Sequence, residues 1–174
     1  MIVVTGNSYK FAQIQEFFPN AEQKKLDLIE IQSLDAQEII RHKVDQARQV
    51  VSGELLVEDT SLICEGLNGL PGPFVKFFLQ SVECQGIWQM AKNSGNIQAQ
   101  AITTLGYCSS AGKIILAQGT IKGHIVEPRG IGHGWNALFQ PEGAEMTYAE
   151  MPEGEHYQWN MRVKALQVLQ KQLS

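Results

Sequence analysis

Ile2-Val3-Val4-Thr5-Gly6-Asn7-Ser8-Tyr9-Lys10 opens the chain with an apolar run that ends in a Gly-Asn turn. An apolar run closed by glycine reads as a buried strand delivering a turn to the edge of a sheet. Directly after it, Phe11, Ile14, Phe17 and Phe18 recur at three- and four-residue spacing until Pro19-Asn20 stops the pattern. That spacing predicts a helix with one apolar face. Working outward, residues 25–31 alternate weakly and predict a second strand. Residues 36–51 return to helical spacing through Ile39, Ile40, Val44 and Ala47, and Leu55-Leu56-Val57 predicts a third strand running into Glu58 and Asp59. Strand, helix, strand, helix, strand is an α/β pattern with partly parallel strands, because parallel neighbours need crossover helices.

Beyond a glycine- and proline-rich loop at 66–73, two apolar helical stretches are predicted at 74–82 and 86–92. Residues 97–109 and 113–126 are β-rich runs around Ser110-Ala111-Gly112, which predicts an antiparallel hairpin. Residues 130–143 hold too many glycines for regular structure to be expected. Val163, Leu166, Leu169 and Leu173 predict a closing amphipathic helix over 162–173.

With 174 residues, 44% hydrophobic and 18% charged, the chain can bury one sizeable core. Its 14 basic against 18 acidic side chains argue against a nucleic-acid polymer as partner, since phosphate-backbone affinity needs a basic face. Cys64, Cys84 and Cys108 lack CxxC spacing and read as buried reduced thiols. No segment approaches the roughly 20 apolar residues of a membrane span, and no leader precedes the first strand, so the expectation is a soluble, cytoplasmic protein with no membrane partner.

Three places can carry chemistry. Where the first strand becomes the first helix, backbone N–H groups, Thr5, Asn7 and Lys10 suit a phosphate; an ordinary turn with a solvated lysine is the alternative. Asp27 and Glu30 end the second predicted strand, and Glu58 and Asp59 the third, so one carboxylate from each tip can converge on Mg2+, which favours a few carboxylates and substrate phosphate. The alternative there is solvated turn acids, with Glu58 or Asp59 capping the segment at Thr60-Ser61. Lys43 and Lys76 lie on apolar-faced helices, where a lysine ordinarily snorkels to solvent. The glycine-rich stretch at 119–143 offers His133 and Trp135 as flat faces for a ring and Asn136 as donor and acceptor, or else folds its Trp into the core. His42, His124, His133 and His156 have no metal-ligand spacing, and no nucleophile signature is present.

VTGNSYK at 4–10, LDLIEIQ at 26–32, LVEDTSL at 56–62, GLPGPFVKFFL at 69–79, GHIVEPRGIGHGW at 123–135, FQPEG at 139–143 and TYAEMP at 147–152 together resemble the inosine triphosphate pyrophosphatase, or Ham1-like, family, in the family's order and over nearly the whole chain. The resemblance implies an elongated two-lobed α/β fold, a mixed sheet flanked by helices around a central cleft, in a single domain over 1–174 that forms a homodimer. It implies Mg2+-dependent hydrolysis of deaminated purine nucleoside triphosphates such as ITP, dITP and XTP to monophosphate and pyrophosphate. Carried over by position, Thr5, Asn7, Lys10, Lys43 and Lys76 would hold phosphates, and Glu30 and Asp59 the metal. Asp59 would also deprotonate or orient water, Trp135 would pack on the base, and Arg162 would address the base edge. A catalytically degenerate relative that binds nucleotide or a protein partner is the competing expectation.

The departures from the family pattern concentrate at the base-reading positions. His133-Gly134-Trp135-Asn136 stands where Phe-Gly-Trp/Tyr-Asp is usual, Asn160-Met161-Arg162 where Ser-His-Arg is usual, and His156 where a lysine is expected. Replacing a carboxylate by an amide changes which base edge can be satisfied, so a shifted or relaxed base preference is expected.

Overall fold

Ile2–Val4 forms β1 and Ser8–Phe17 forms α1 in the computed structural model, which describes residues 1–152 and 157–174; His156 therefore lies outside the described residues. α1 begins where it does because Asn7 caps it, accepting from the Lys10 amide at 3.1 Å, one of the donors a helix start leaves open. β2 (Glu22–Lys24) runs parallel to β1, with Ile2 opposite Glu22 and Val4 opposite Lys24.

The strand expected at 25–31 is not there: β2 ends at Lys24, and the chain is irregular from 25 to 35. Leu26 and Leu28 do pack on the core, so the alternation recorded burial, not pairing. The ladder stops because Thr5 makes the last contact, its amide donating to the Lys24 carbonyl at 3.1 Å, before the chain turns into the α1 cap.

α2 (Ala36–Ala47), capped by Asp35, buries Ile39, Ile40, Val44 and Ala47. β3 (Leu55–Cys64) lies parallel to β1 and is longer than expected, so Glu58 and Asp59 sit inside a strand and not at its tip. Neither caps the segment at Thr60-Ser61. The acids interrupt the hydropathy but not the backbone, because Leu62 and Cys64 beyond them are again buried.

Next come β4 (Pro71–Gly72), α3 (Val75–Ser94), β5 (Gln98–Cys108), β6 (Ile114–Ile125), β7 (Phe139–Pro141) and α4 (Met161–Leu173). The strands form one mixed sheet in the order β2-β1-β3-β5-β6-β7, with β4 on β3. β5 and β6 make the predicted hairpin. α3 is broken at Glu83, which accounts for the two separate helical stretches in the sequence. β7 corrects the expectation for 130–143: it pairs antiparallel with β6, Gly123 facing Pro141, and a Cβ at Gly123 would collide with the Gln140 carbonyl. That glycine serves close strand approach.

The chain divides into two compact units. Unit 1 comprises Met1–Asp59, Thr103–Gly119 and Arg162–Ser174; α4 places Ala165, Leu166 and Leu169 against Val3, Ile14 and Leu56 in one cluster, and α2 packs Ile40 and Val44 with Leu55 and Val57 in another. Unit 2 comprises Thr60–Ile102 and Thr120–Met161, with Leu62, Ile87, Ile125, Leu138 and Phe139 at its core. All three cysteines are free thiols; Cys64 and Cys108 are buried, whereas Cys84 is half-buried, a correction to the sequence expectation. No helix among the described residues is long and apolar enough to cross a membrane.

Candidate active site

Glu58 is the best-buried charge of unit 1 that the sequence underrated. Its side chain is 2% exposed, and β3 directs it into a ring of cations. Lys10, from the first turn of α1, reaches Oε1 at 2.7 Å. Arg162, from the start of α4, donates through Nε to Oε2 at 2.6 Å and through Nη2 to Oε1 at 3.2 Å. Its Nη1 donates to Gln13 Oε1 at 2.6 Å. Burial alone would raise the Glu58 carboxyl, but the Arg162 and Lys10 charges and hydrogen bonds outweigh it and lower it to about 2. Glu58 is therefore a fixed anion at neutral pH.

The neighbouring residue on β3 points to a second group. Asp59 Oδ1 lies 3.5 Å from Lys43 Nζ, and Glu30 Oε1 lies 2.7 Å from the same nitrogen. Lys43 is buried, so it does not snorkel as a lysine on an apolar-faced helix ordinarily does. One ammonium draws together carboxylates from the irregular 25–35 stretch and from β3. Their convergence follows the sequence expectation, although neither stands at a strand tip. Asp27, the other acid considered, is exposed.

Two groups therefore stand on successive residues of β3, Glu58 with Lys10 and Arg162 and Asp59 with Glu30 and Lys43. In the second, two carboxylates share one lysine, and a polyphosphate would add further negative charge there. Two hard-oxygen carboxylates, one of them with its side chain 47% exposed, make the donor set that Mg2+ favours when substrate phosphate completes the shell. The residues present fit a divalent ion, although three acidic, His or Cys ligands do not gather at any one point among the described residues.

The turn residues are occupied locally. Thr5 Oγ1 accepts from the Asn7 amide at 3.1 Å while Asn7 Oδ1 caps α1; both hold the turn that presents Lys10. Arg162, expected at a base edge, is buried and committed to Glu58 and Gln13. In unit 2, Lys76 is exposed at the start of α3. Trp135 is 7% exposed, with Phe139 at 5.7 Å edge-on and Tyr148 at 5.9 Å. The Trp is folded into the core of unit 2. His133 in the same loop is exposed and Asn136 half-buried, while Asn160 and Met161 are buried.

Gln13 and the Arg162–Glu58 link were missed, and Glu58 was weighed only as an acid at a strand tip and not as a buried anion holding two cations. A signal existed: a carboxylate flanked by residues buried on both faces of a strand needs paired cations to remain charged.

A profile of the Ham1 family matches residues 1–172. An inosine triphosphate pyrophosphatase of Schizosaccharomyces pombe is 42% identical over 160 residues, covering 89% of this chain and 85% of the relative. One of Pyricularia oryzae is 41% identical over 172 residues, covering 96% and 89%. Among solved structures, the Staphylococcus aureus Ham1 protein superposes with a TM-score of 0.86 at 19% identity, covering 99% of this chain and 96% of that one. A HAM1 protein of Coxiella burnetii gives 0.80 at 23% identity, covering 99% and 96%. These two likenesses establish the fold.

Proposed function

Because this chain belongs to the Ham1 family, we propose that it hydrolyses nonstandard purine nucleoside triphosphates, ITP, dITP and XTP among them, to the monophosphate and pyrophosphate. The observation that carries the reading is the meeting of Glu30 and Asp59 on Lys43, beside a buried carboxylate that fixes Lys10.

The chemistry needs water to attack the α-phosphorus as the α–β anhydride bond breaks and pyrophosphate departs. Glu30 and Asp59 would hold a divalent ion, taken here as Mg2+. When bound, that ion supplies charge neutralisation at the phosphoryl oxygens and raises the acidity of water. Asp59 takes a proton from the attacking water as general base. Lys10 and Lys43 compensate phosphate charge, and Lys43 exchanges its carboxylate partners for phosphate oxygens as substrate and ion enter. By the family resemblance Thr5, Asn7 and Lys76 are further phosphate-binding residues, and Thr5 and Asn7 also hold the turn that presents Lys10. Glu58 and Arg162 keep the Lys10 ammonium in place, so that little reorganisation falls in the chemical step.

Base preference is carried by the residues that differ from the family pattern. His133, Asn136, Asn160 and Met161 support a preference shifted or relaxed relative to ITP. Higher turnover of ITP than of every other nucleotide in a panel would contradict the shift. Assembly as a homodimer rests on the family resemblance and is read by light scattering. The activity is tested by pyrophosphate release from that panel with and without Mg2+; release of orthophosphate, or no release from any nucleotide, would contradict the reading.

A further inference from the structure

The 25–35 stretch carries Glu30, yet no sheet ladder holds it. Ile29, beside Glu30, is 70% exposed, so its side chain does not anchor the backbone. The anchor is Gln46, in the last turn of α2. Its Oε1 accepts from the Ile29 amide at 2.9 Å, and its Nε2 donates to the Ile29 carbonyl at 2.8 Å. One side chain thus makes the pair of hydrogen bonds that an antiparallel neighbour would make with one residue. His42 Nδ1 lies 2.9 Å from the same Nε2 and accepts from it when the imidazole is neutral with its proton on Nε2. Both amide hydrogens of Gln46 are then used, which fixes which way the amide faces.

Gln46 and Lys43 are three residues apart and share a face of α2. The helix therefore grips the stretch at two successive points: the backbone of Ile29 through Gln46, and the carboxylate of Glu30 through Lys43, at 2.7 Å. Only the first grip is independent of charge. Once Lys43 turns to phosphate, Glu30 and Asp59 repel each other, and a loosely held stretch would relieve this by swinging Glu30 into solvent.

We propose that Gln46 is a positioning residue for the divalent-ion site, clamping the Ile29 backbone so that the Glu30 carboxylate is set toward Asp59 before an ion arrives. This rests on the reading of Glu30 and Asp59 as the ion-holding pair. Outer residues of this kind change metal affinity roughly tenfold to a hundredfold when removed.

The test titrates Mn2+ into the full chain without nucleotide, following the free-ion EPR signal, and measures hydrogen exchange at the Ile29 amide. Gln46→Leu keeps the volume and removes both hydrogen bonds; Gln46→Ala is the second variant should the first fold poorly, and Glu30→Gln is the reference. The expected result is Mn2+ binding weakened by roughly tenfold or more in the Gln46 variants, with faster exchange at Ile29. Their pyrophosphate release should return toward the wild-type rate at saturating Mg2+, a KM-type loss for the ion. Wild-type Mn2+ affinity in the Gln46 variants beside a weakened Glu30→Gln would overturn the clamp and leave the ion-holding pair intact. Wild-type affinity in Glu30→Gln would overturn that pair, and the clamp's role with it.

Discussion

Glu58 and Asp59 are neighbours on one strand with opposite surroundings, and that difference assigns their work. Glu58 is buried under two cations and is held ionised, so it cannot exchange protons during turnover. Asp59 is partly open and shares the Lys43 ammonium with Glu30. Asp59→Asn should therefore lower the rate by roughly a hundredfold to ten-thousandfold, the usual worth of a positioned base, with folding preserved by circular dichroism. Glu58 makes a different prediction. Its folded-state value of about 2, against 4.5 for the free group, means that its contribution to stability is complete above pH 4.5 and is lost as pH falls toward 2. The shift corresponds to on the order of 3 kcal/mol. Denaturant unfolding of the wild type should lose stability across that window, and Glu58→Gln should flatten this part of the profile; an unchanged slope in the variant would contradict the assignment.

At the scale of elements, the placement of α2 decides where Lys43 and Gln46 reach. Gly106 on β5 lets the helix come close: a Cβ there would press into Ile40 and stand 2.8 Å from Val44 Cγ2. Both neighbours are β-branched and stiff. Gly106→Ala should cost about 1–3 kcal/mol by overpacking and lower activity by displacing Lys43, read by denaturant unfolding and steady-state kinetics together. In α3 the break at Glu83 holds a non-glycine residue at φ 57°, ψ −176°, a conformation that only glycine adopts without strain. Glu83→Gly should raise unfolding free energy by about 1 kcal/mol, and a loss of stability would contradict that reading. Most elements were legible as runs of apolar spacing, and the break in α3 appeared as two helical stretches. The irregular 25–35 stretch was not, because Leu26 and Leu28 bury alternately without a strand beside them. Nor was the full length of β3, since polarity at Glu58 and Asp59 hid a backbone that continues unchanged.

For the molecule as a whole, carboxylates and cations from five separate chain segments meet at successive residues of β3 in unit 1, Glu58 with Lys10 and Arg162 and Asp59 with Glu30 and Lys43, and a divalent ion is what would let the second group accept a polyanion. The convergence of Glu30 and Asp59 was expected from the sequence at two strand tips, whereas in the structure β1 separates β2 from β3 and Lys43 draws the two carboxylates together. The burial of Arg162 and Trp135 could not be read from the sequence. Spacing places a residue on an element, whereas the partner that claims its side chain comes from a segment distant in the chain, as Glu58 and Arg162 lie 104 residues apart. The most direct test of the central claim is stoichiometric product analysis with ITP and Mg2+ for wild type and Asp59→Asn. The account predicts one pyrophosphate per monophosphate from the wild type, abolished without Mg2+ and nearly so in the variant; full pyrophosphate release by Asp59→Asn, or release independent of any divalent ion, would contradict it.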